Sequence, residues 1–92
     1  MKTGIELITE ERQRQITEEG WTAEHDHQHN DSELAGAGAY YAIPENRRKY
    51  YPNLWMFREE WFKPTPKDRV RELTKAGALI AAEIDRIQNK LS

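Results

Sequence analysis

Polar and apolar positions along this chain follow the three-and-four spacing of amphipathic helices in three separate stretches. The first opens at Thr3, three residues before Glu6. At that spacing the Thr3 hydroxyl accepts the Glu6 backbone N–H and the Glu6 carboxylate accepts the Thr3 N–H, a capping box. The pattern predicts a helix over 4–19, stopped at Gly20, with Ile5, Ile8, Arg12 and Ile16 on its inward stripe. An arginine on such a stripe needs a carboxylate partner. The second stretch, "DSELAGAGAYYAI", is predicted helical over 31–43, opened by a second capping-box pair, Asn30 and Glu33, and ended by Pro44. Each interior glycine costs about 1 kcal/mol against alanine. Close approach of another helix, or of a ligand, is the physical reason to keep them.

The third stretch opens at Thr65, Pro66 and Asp68, read as N-cap, N1 and N3 of a helix over 66–91. That helix spans roughly 35 Å at about 1.5 Å per residue. Its apolar stripe is Val70, Leu73, Gly77, Ile80, Ile84, Ile87 and Leu91, an unbroken alternation of three and four that matches an a/d heptad seam. "KAGALIAAE" places small residues around Gly77, suited to meet the small face of the second helix. Residues 44–65 show no period but are dense in proline and aromatics. They predict an ordered irregular segment clamped by its aromatic rings, with one helical turn near Trp55–Trp61 and a basic cluster of Arg47, Arg48 and Lys49. The expected architecture is one all-α domain: three helices, with an aromatic-rich irregular segment before the long last one. The seam of that last helix makes a homo-oligomer the expected state, because one narrow core is too small for so long a helix.

Composition narrows the classes of function. The chain has 92 residues, enough for one domain with a small core. A formal net charge of -2 argues against a protein that coats nucleic acid. The absence of cysteine excludes disulfides and thiolate metal sites. No apolar run approaches the ~20 residues of a membrane span, and no signal-peptide pattern is present. A soluble, cytoplasmic protein is expected.

Three clusters carry candidate chemistry. In "GWTAEHDHQHNDSELA", residues 20–35, His25, His27 and His29 lie among Glu24, Asp26, Asp31 and Glu33. Imidazole with carboxylate suits Zn²⁺, Mn²⁺ or Fe²⁺; the competing reading is a polar run-in to the second helix. His25 and His29 share a face if the stretch is helical. The second cluster is Glu10, Glu11, Glu18 and Glu19 on the first helix. Glu11 and Glu18 lie seven apart on nearly one face, as carboxylates do in bundle enzymes that hold Mg²⁺. Against that stands a solvated face paired with Arg14. Arg12 is read either as an internal ion pair with Glu33 or as a phosphate-facing group. The third cluster is Trp21, Trp55, Trp61, Lys63 and Arg69, with indoles to stack a base and cations to hold phosphate. Its competing reading is core. No serine sits in a GxSxG context, and "AGAGA" lacks the GxGxxG order of a phosphate loop.

The blocks "GIELITEERQRQITEEGWTAEHDHQHNDSELAGAGAYYA" and "WFKPTPKDRVRELTKAGALIAAEIDR" resemble a family of small proteins encoded by tailed phages and prophages. That family's pattern is an ERxRQ helix, EGW, EHDxxH, GELA…YA, a tryptophan-Lys-Pro step and a DRxRDLxKAGALIxAEIxR helix. The likeness covers most of the chain outside 44–60. His27 stands where the family more often has Asp, and Ser32 where it usually has Gly. The resemblance implies phage origin and a helical domain. An acidic helix, a Gly-Trp step, a His-containing loop and a helix opening with Glu-Leu-Ala are also similar to parts of the MazG-type all-α nucleotide pyrophosphohydrolases. Those enzymes bind Mg²⁺ through EExxE and ExxD motifs. Here Glu10–Glu11 begins the first motif, but Arg14 stands at its last acidic position, and Glu83 and Asp85 are one residue too close for the second.

Three functions follow as expectations. A MazG-like hydrolase would use Mg²⁺ or Mn²⁺, with Glu11, His25, His29, Asp31 and Glu33 as ligands and Glu11, Glu33 and His29 assisting water attack. Arg12, Lys63 and Arg69 would hold phosphates, and Trp21 or Trp61 would stack the base. A non-catalytic phage anti-defence protein would instead sequester a nucleotide or nucleotide-derived signal, needing the aromatics and cations but no metal. A third type would bind and inhibit a host protein through residues 50–62, where Tyr and Trp are concentrated.

Overall fold

The computed structural model describes residues 1–20 and 32–91. Every regular element among them is helical. α1 runs Gly4–Glu19, α2 Glu33–Ala42 and α3 Arg69–Leu91, and three short 3₁₀ turns, Glu45–Tyr50, Pro52–Leu54 and Glu59–Trp61, fill the interval between α2 and α3. The all-α architecture matches the pattern in the sequence. No helix among the described residues is long and apolar enough to cross a membrane.

The helix ends show where local chemistry prevails. Thr3 caps α1 as expected: its hydroxyl accepts the Glu6 N–H at 3.2 Å and the Glu6 carboxylate accepts the Thr3 N–H at 2.8 Å. Gly20 closes the helix with φ 71°, the left-handed region that glycine enters without steric cost. Ser32 precedes α2 at φ 65° with no side-chain cap; Asn30, the expected cap, lies outside the described residues. The start of α3 differs from the expected one. Asp68, not Thr65, is the cap, its carboxylate accepting the Arg71 N–H at 3.1 Å. Thr65 and Pro66 instead form a preceding turn, in which the Asp68 N–H reaches the Thr65 carbonyl at 2.8 Å.

The core is narrow and built from small residues. Leu34, Ala37 and Tyr41 of α2 pack on Ala76, Leu79 and Ala82 of α3, and Trp55, Phe57 and Phe62 close over them. A Cβ on Gly38 would lie 3.1 Å from the Ala76 carbonyl oxygen, and one on Gly36 would lie 2.5 Å from that of Leu54. The α2 glycines therefore admit α3 on one side and the 52–54 turn on the other, the close approach their cost requires.

The inward stripe expected on α1 is buried only in part: Arg12 is buried and Ile8 and Ile16 are half-buried. On α1 the buried side chains are Glu11, Arg12 and Gln15, while Ile5 is 80% exposed. On α3 the seam residues Val70, Leu73, Ile80, Ile84 and Ile87 are about half-exposed, and the alanine-rich face is buried. The ion pairs explain the rotation of α1. Glu11 reaches Arg71 at 2.7 Å, and its neighbour Arg12 reaches Asp85 at 3.3 Å. Those partners stand fourteen positions, ~21 Å, apart on α3, so the two side chains brace α1 against α3 in opposite directions along its axis. Ile8 lies over Gly77 at the crossing.

Residues 44–65 are ordered as expected. Tyr40, Tyr41, Trp55, Phe57 and Phe62 form a continuous ring cluster with centroids 5.0–6.1 Å apart. Beneath it, the Glu72 carboxylate is almost fully buried. It takes the Arg48 guanidinium at 3.0 Å, Arg69 at 3.1 Å and the Thr65 N–H at 3.0 Å. Arg48 also donates to the carbonyls of Tyr40 and Tyr41, and Arg69 to those of Tyr41, Ala42 and Ile43. Two arginines thus satisfy the last carbonyls of α2, and Glu72 pairs with both, leaving the trio one positive charge.

Two outcomes are expected. Gly36→Ala gains about 1 kcal/mol in helix propensity but drives a methyl into the Leu54 backbone, so a net loss of about 1–2 kcal/mol should appear as a lower urea midpoint. An unchanged or higher midpoint would contradict this packing. Burial pushes the Glu72 pKa up, but Arg48, the Thr65 N–H and Arg69 outweigh it and hold it below its ordinary 4.5. A lowered carboxylate pKa stabilises the fold above the ordinary value, and that contribution is lost as pH falls through the folded one. Glu72→Gln should cost about 3 kcal/mol near neutrality, and its deficit against the native chain should shrink as pH drops below 4.5. A deficit independent of pH would be inconsistent with an ionised Glu72.

Candidate ligand-binding cavity

The crossing of α1 over α3 leaves a cavity of about 200 Å³ beside the ring cluster. α1 supplies Glu11, Arg14, Gln15 and Glu19, α2 supplies Leu34, Ala37 and Tyr41, and α3 supplies Lys75 and Leu79. Trp55, Phe57, Trp61 and Lys63 complete the wall from the irregular segment. One side is therefore aromatic and aliphatic, and the other is charged.

The charged side is organised by Glu11. Both its oxygens are engaged: Arg14 donates to Oε1 at 3.0 Å and to Oε2 at 2.9 Å, and Arg71 donates to Oε1 at 2.7 Å. Burial pushes its pKa up, but the two guanidinium groups prevail and hold it below the usual carboxylate value. Arg14 also reaches Glu18 and Glu19, at 3.4 and 3.2 Å, and its own pKa is raised, chiefly by Glu11. Lys75 is half-buried, donates to the Lys63 carbonyl at 2.8 Å and has its Nζ 5.5 Å from the Tyr41 ring centroid. Burial, then Arg71, lowers its pKa. The Tyr41 hydroxyl accepts the Lys63 N–H at 2.9 Å, which fixes the backbone at the cavity edge. Arg14, Lys63 and Lys75 outnumber Glu11 and Glu19 around the cavity, so the balance favours an anion.

Gln15 is the exception to a well-satisfied interior. It is 2% exposed, and its Oε1 has no hydrogen-bond partner among the described residues. A buried polar atom left unpaired costs about 1–3 kcal/mol. This one lies on a side chain that lines the cavity.

The expected site residues divide into four groups. Glu11, Trp61 and Lys63 come together around the cavity. Trp21, His25, His29 and Asp31 lie outside the described residues, as does His27. Glu33 stands half-buried in the first turn of α2. Arg12 and Arg69 are turned elsewhere. Arg12, expected to face phosphate or pair with Glu33, reaches Asp85; Arg69, expected to hold phosphate, caps the carbonyls of α2 and pairs with Glu72. Among the described residues no three metal-ligating side chains cluster. Trp55, expected on a contact surface for a host protein, packs in the ring cluster, and its Nε1 donates to the Arg58 carbonyl at 3.0 Å.

Gln15, Tyr41, Phe57 and Lys75 were not among the expected site residues. Gln15 had a signal, since it continues the inward line of Glu11 and Arg12 by one turn. The lysine had none, because an isolated Lys on a long helix reads as a solvent-facing charge. Comparisons of the chain with protein-family models, with characterised proteins and with solved structures give no match.

The two cavity tryptophans should separate in behaviour. Trp55→Ala opens the ring cluster and should cost about 3 kcal/mol of stability. Trp61, half-exposed at the rim, should cost less than about 1 kcal/mol when truncated. Comparable losses in thermal or urea unfolding would contradict this division into wall and rim.

Proposed function

We propose that the protein captures a small anionic molecule bearing a heterocyclic ring, a nucleotide or nucleotide-derived signal, and holds it without chemical change. The observation that carries this reading is a cavity with aromatic rings on one side and an excess of cations on the other, bordered by Gln15, whose Oε1 has no hydrogen-bond partner among the described residues. A ring N–H or exocyclic amine would satisfy that oxygen. The volume sets the scale: typical ligand pockets hold roughly 300–1,000 Å³, so this smaller cavity takes the ring alone. Phosphate then sits at the rim, near Lys63, with Trp61 over the ring.

Capture is preferred to turnover because of Glu11. A metal ligand or general base needs a free oxygen lone pair directed at the metal or water, and here two arginines occupy the carboxylate. With the resemblance to phage-encoded proteins, the reading is that of an accessory protein that withholds a nucleotide signal from host defence.

The direct test incubates the protein with a nucleotide panel, cyclic dinucleotides included, in EDTA, and then ultrafilters. Intact nucleotide released from the denatured retentate is the expected result. Monophosphate products that appear only with Mg²⁺ or Mn²⁺ would replace capture with hydrolysis, and a panel that passes through unchanged would refute both. Gln15→Leu provides the site-specific test. Removing an unpaired buried amide should leave stability equal or up to about 1 kcal/mol higher, while nucleotide affinity falls at least ~10-fold. A destabilised variant that binds normally would make Gln15 a structural residue only.

A further inference from the structure

The side of α3 that faces away from the cavity is apolar and open. Val70, Leu73, Ile80, Ile84 and Ile87 are each 44–60% exposed. They keep the seven-residue a/d repeat, and no charged residue interrupts the seam positions from 70 to 87. Gly77 is the one gap in the stripe, and Ile8 of α1 fills it from the side. Ile5, one turn earlier on α1, is also exposed.

We infer that this face docks a second copy of the chain, seam against seam about a two-fold axis. The first argument is the period. α1 and α2 occupy the other faces of α3 and touch the stripe only at Gly77, under Ile8, and at the edge of Ile80, beside Gly38, so most of the seven-residue repeat is unused within the protomer. Such a repeat is the signature of packing against another helix of matching period, and an isologous pair supplies one automatically. The second argument is area. The five seam residues, each about half-exposed, present roughly 400 Å², as much as the largest apolar patches that monomers leave open. With the surrounding α1 and α3 surface, that approaches the ~800 Å² per partner of a standard stable interface. The third argument is placement. Ile84 stands nine positions from Lys75, about half a turn round the helix, so pairing through the seam leaves the cavity of each copy open.

Sedimentation equilibrium on the full chain, at concentrations on the order of 0.1 mM, is the test. The expected mass is twice the 10.9 kDa of one chain. Ile80→Glu combined with Ile84→Glu should return it to one chain while retaining the helical far-UV spectrum, because both side chains are about half-exposed within the protomer. Should that variant lose helicity, Ile80→Ala with Ile84→Ala introduces no charge and should raise the dimer dissociation constant at least ~10-fold. A native chain that sediments as a monomer would overturn the inference and leave the seam to a different partner. A dimer that either folded variant leaves intact would place the interface elsewhere and overturn it equally.

Discussion

The arrangement depends on one carboxylate taken out of water. Glu72 lies where the end of α2, the irregular segment and the first turn of α3 meet, and it holds Arg48, Arg69 and the Thr65 backbone together. The two arginines in turn terminate α2. An unpaired charge in that position would be strongly unfavourable, so these elements form as a set. The aromatic cluster above the ion network is a consequence of it. Arg48 packs 5.4 Å from the Phe62 ring centroid and 5.8 Å from that of Tyr40, which turns the segment back over α2 and makes it the wall of the cavity.

A second ionic device fixes α1. Glu11 and Arg12, adjacent in sequence, reach partners far apart on α3 and brace α1 against it in both directions. Gln15 then borders the cavity, Ile8, two turns earlier on nearly the same face, covers Gly77, and Ile5 is left exposed. On α3, Ala76, Leu79 and Ala82 give α2 a close-packed surface and leave the larger aliphatic residues outside.

Much of the fold was legible in the sequence, because helix boundaries are local chemistry. Thr3 with Glu6 and the positive-φ Gly20 are readable from spacing alone, and the α2 glycines correctly signalled close neighbours. The burial of each face was not legible. Periodicity read Val70, Leu73, Ile80 and Ile84 as a heptad seam without saying which face of α3 its own core would take. The alanine face is buried because Gly38 of α2 comes within 3.1 Å of the Ala76 carbonyl, an approach that small side chains on that face permit. The site was less legible still. Glu11, Trp61 and Lys63 meet at the cavity, yet Glu11 is held by Arg71, sixty residues away, and Arg69 is drawn to the end of α2. Pairings at such separation leave no trace in local spacing. The His-rich stretch falls outside the described residues, so its chemistry rests on the sequence reading.

The central claim is that Gln15 and Trp61 bound a ring-binding cavity that works without metal. Chemical-shift mapping of ¹⁵N-labelled protein titrated with nucleotide in EDTA tests it most directly. The account predicts that the Gln15 side-chain amide and the Trp61 indole N–H shift together and saturate at one ligand concentration. Shifts that saturate while both of these signals stay fixed would contradict it.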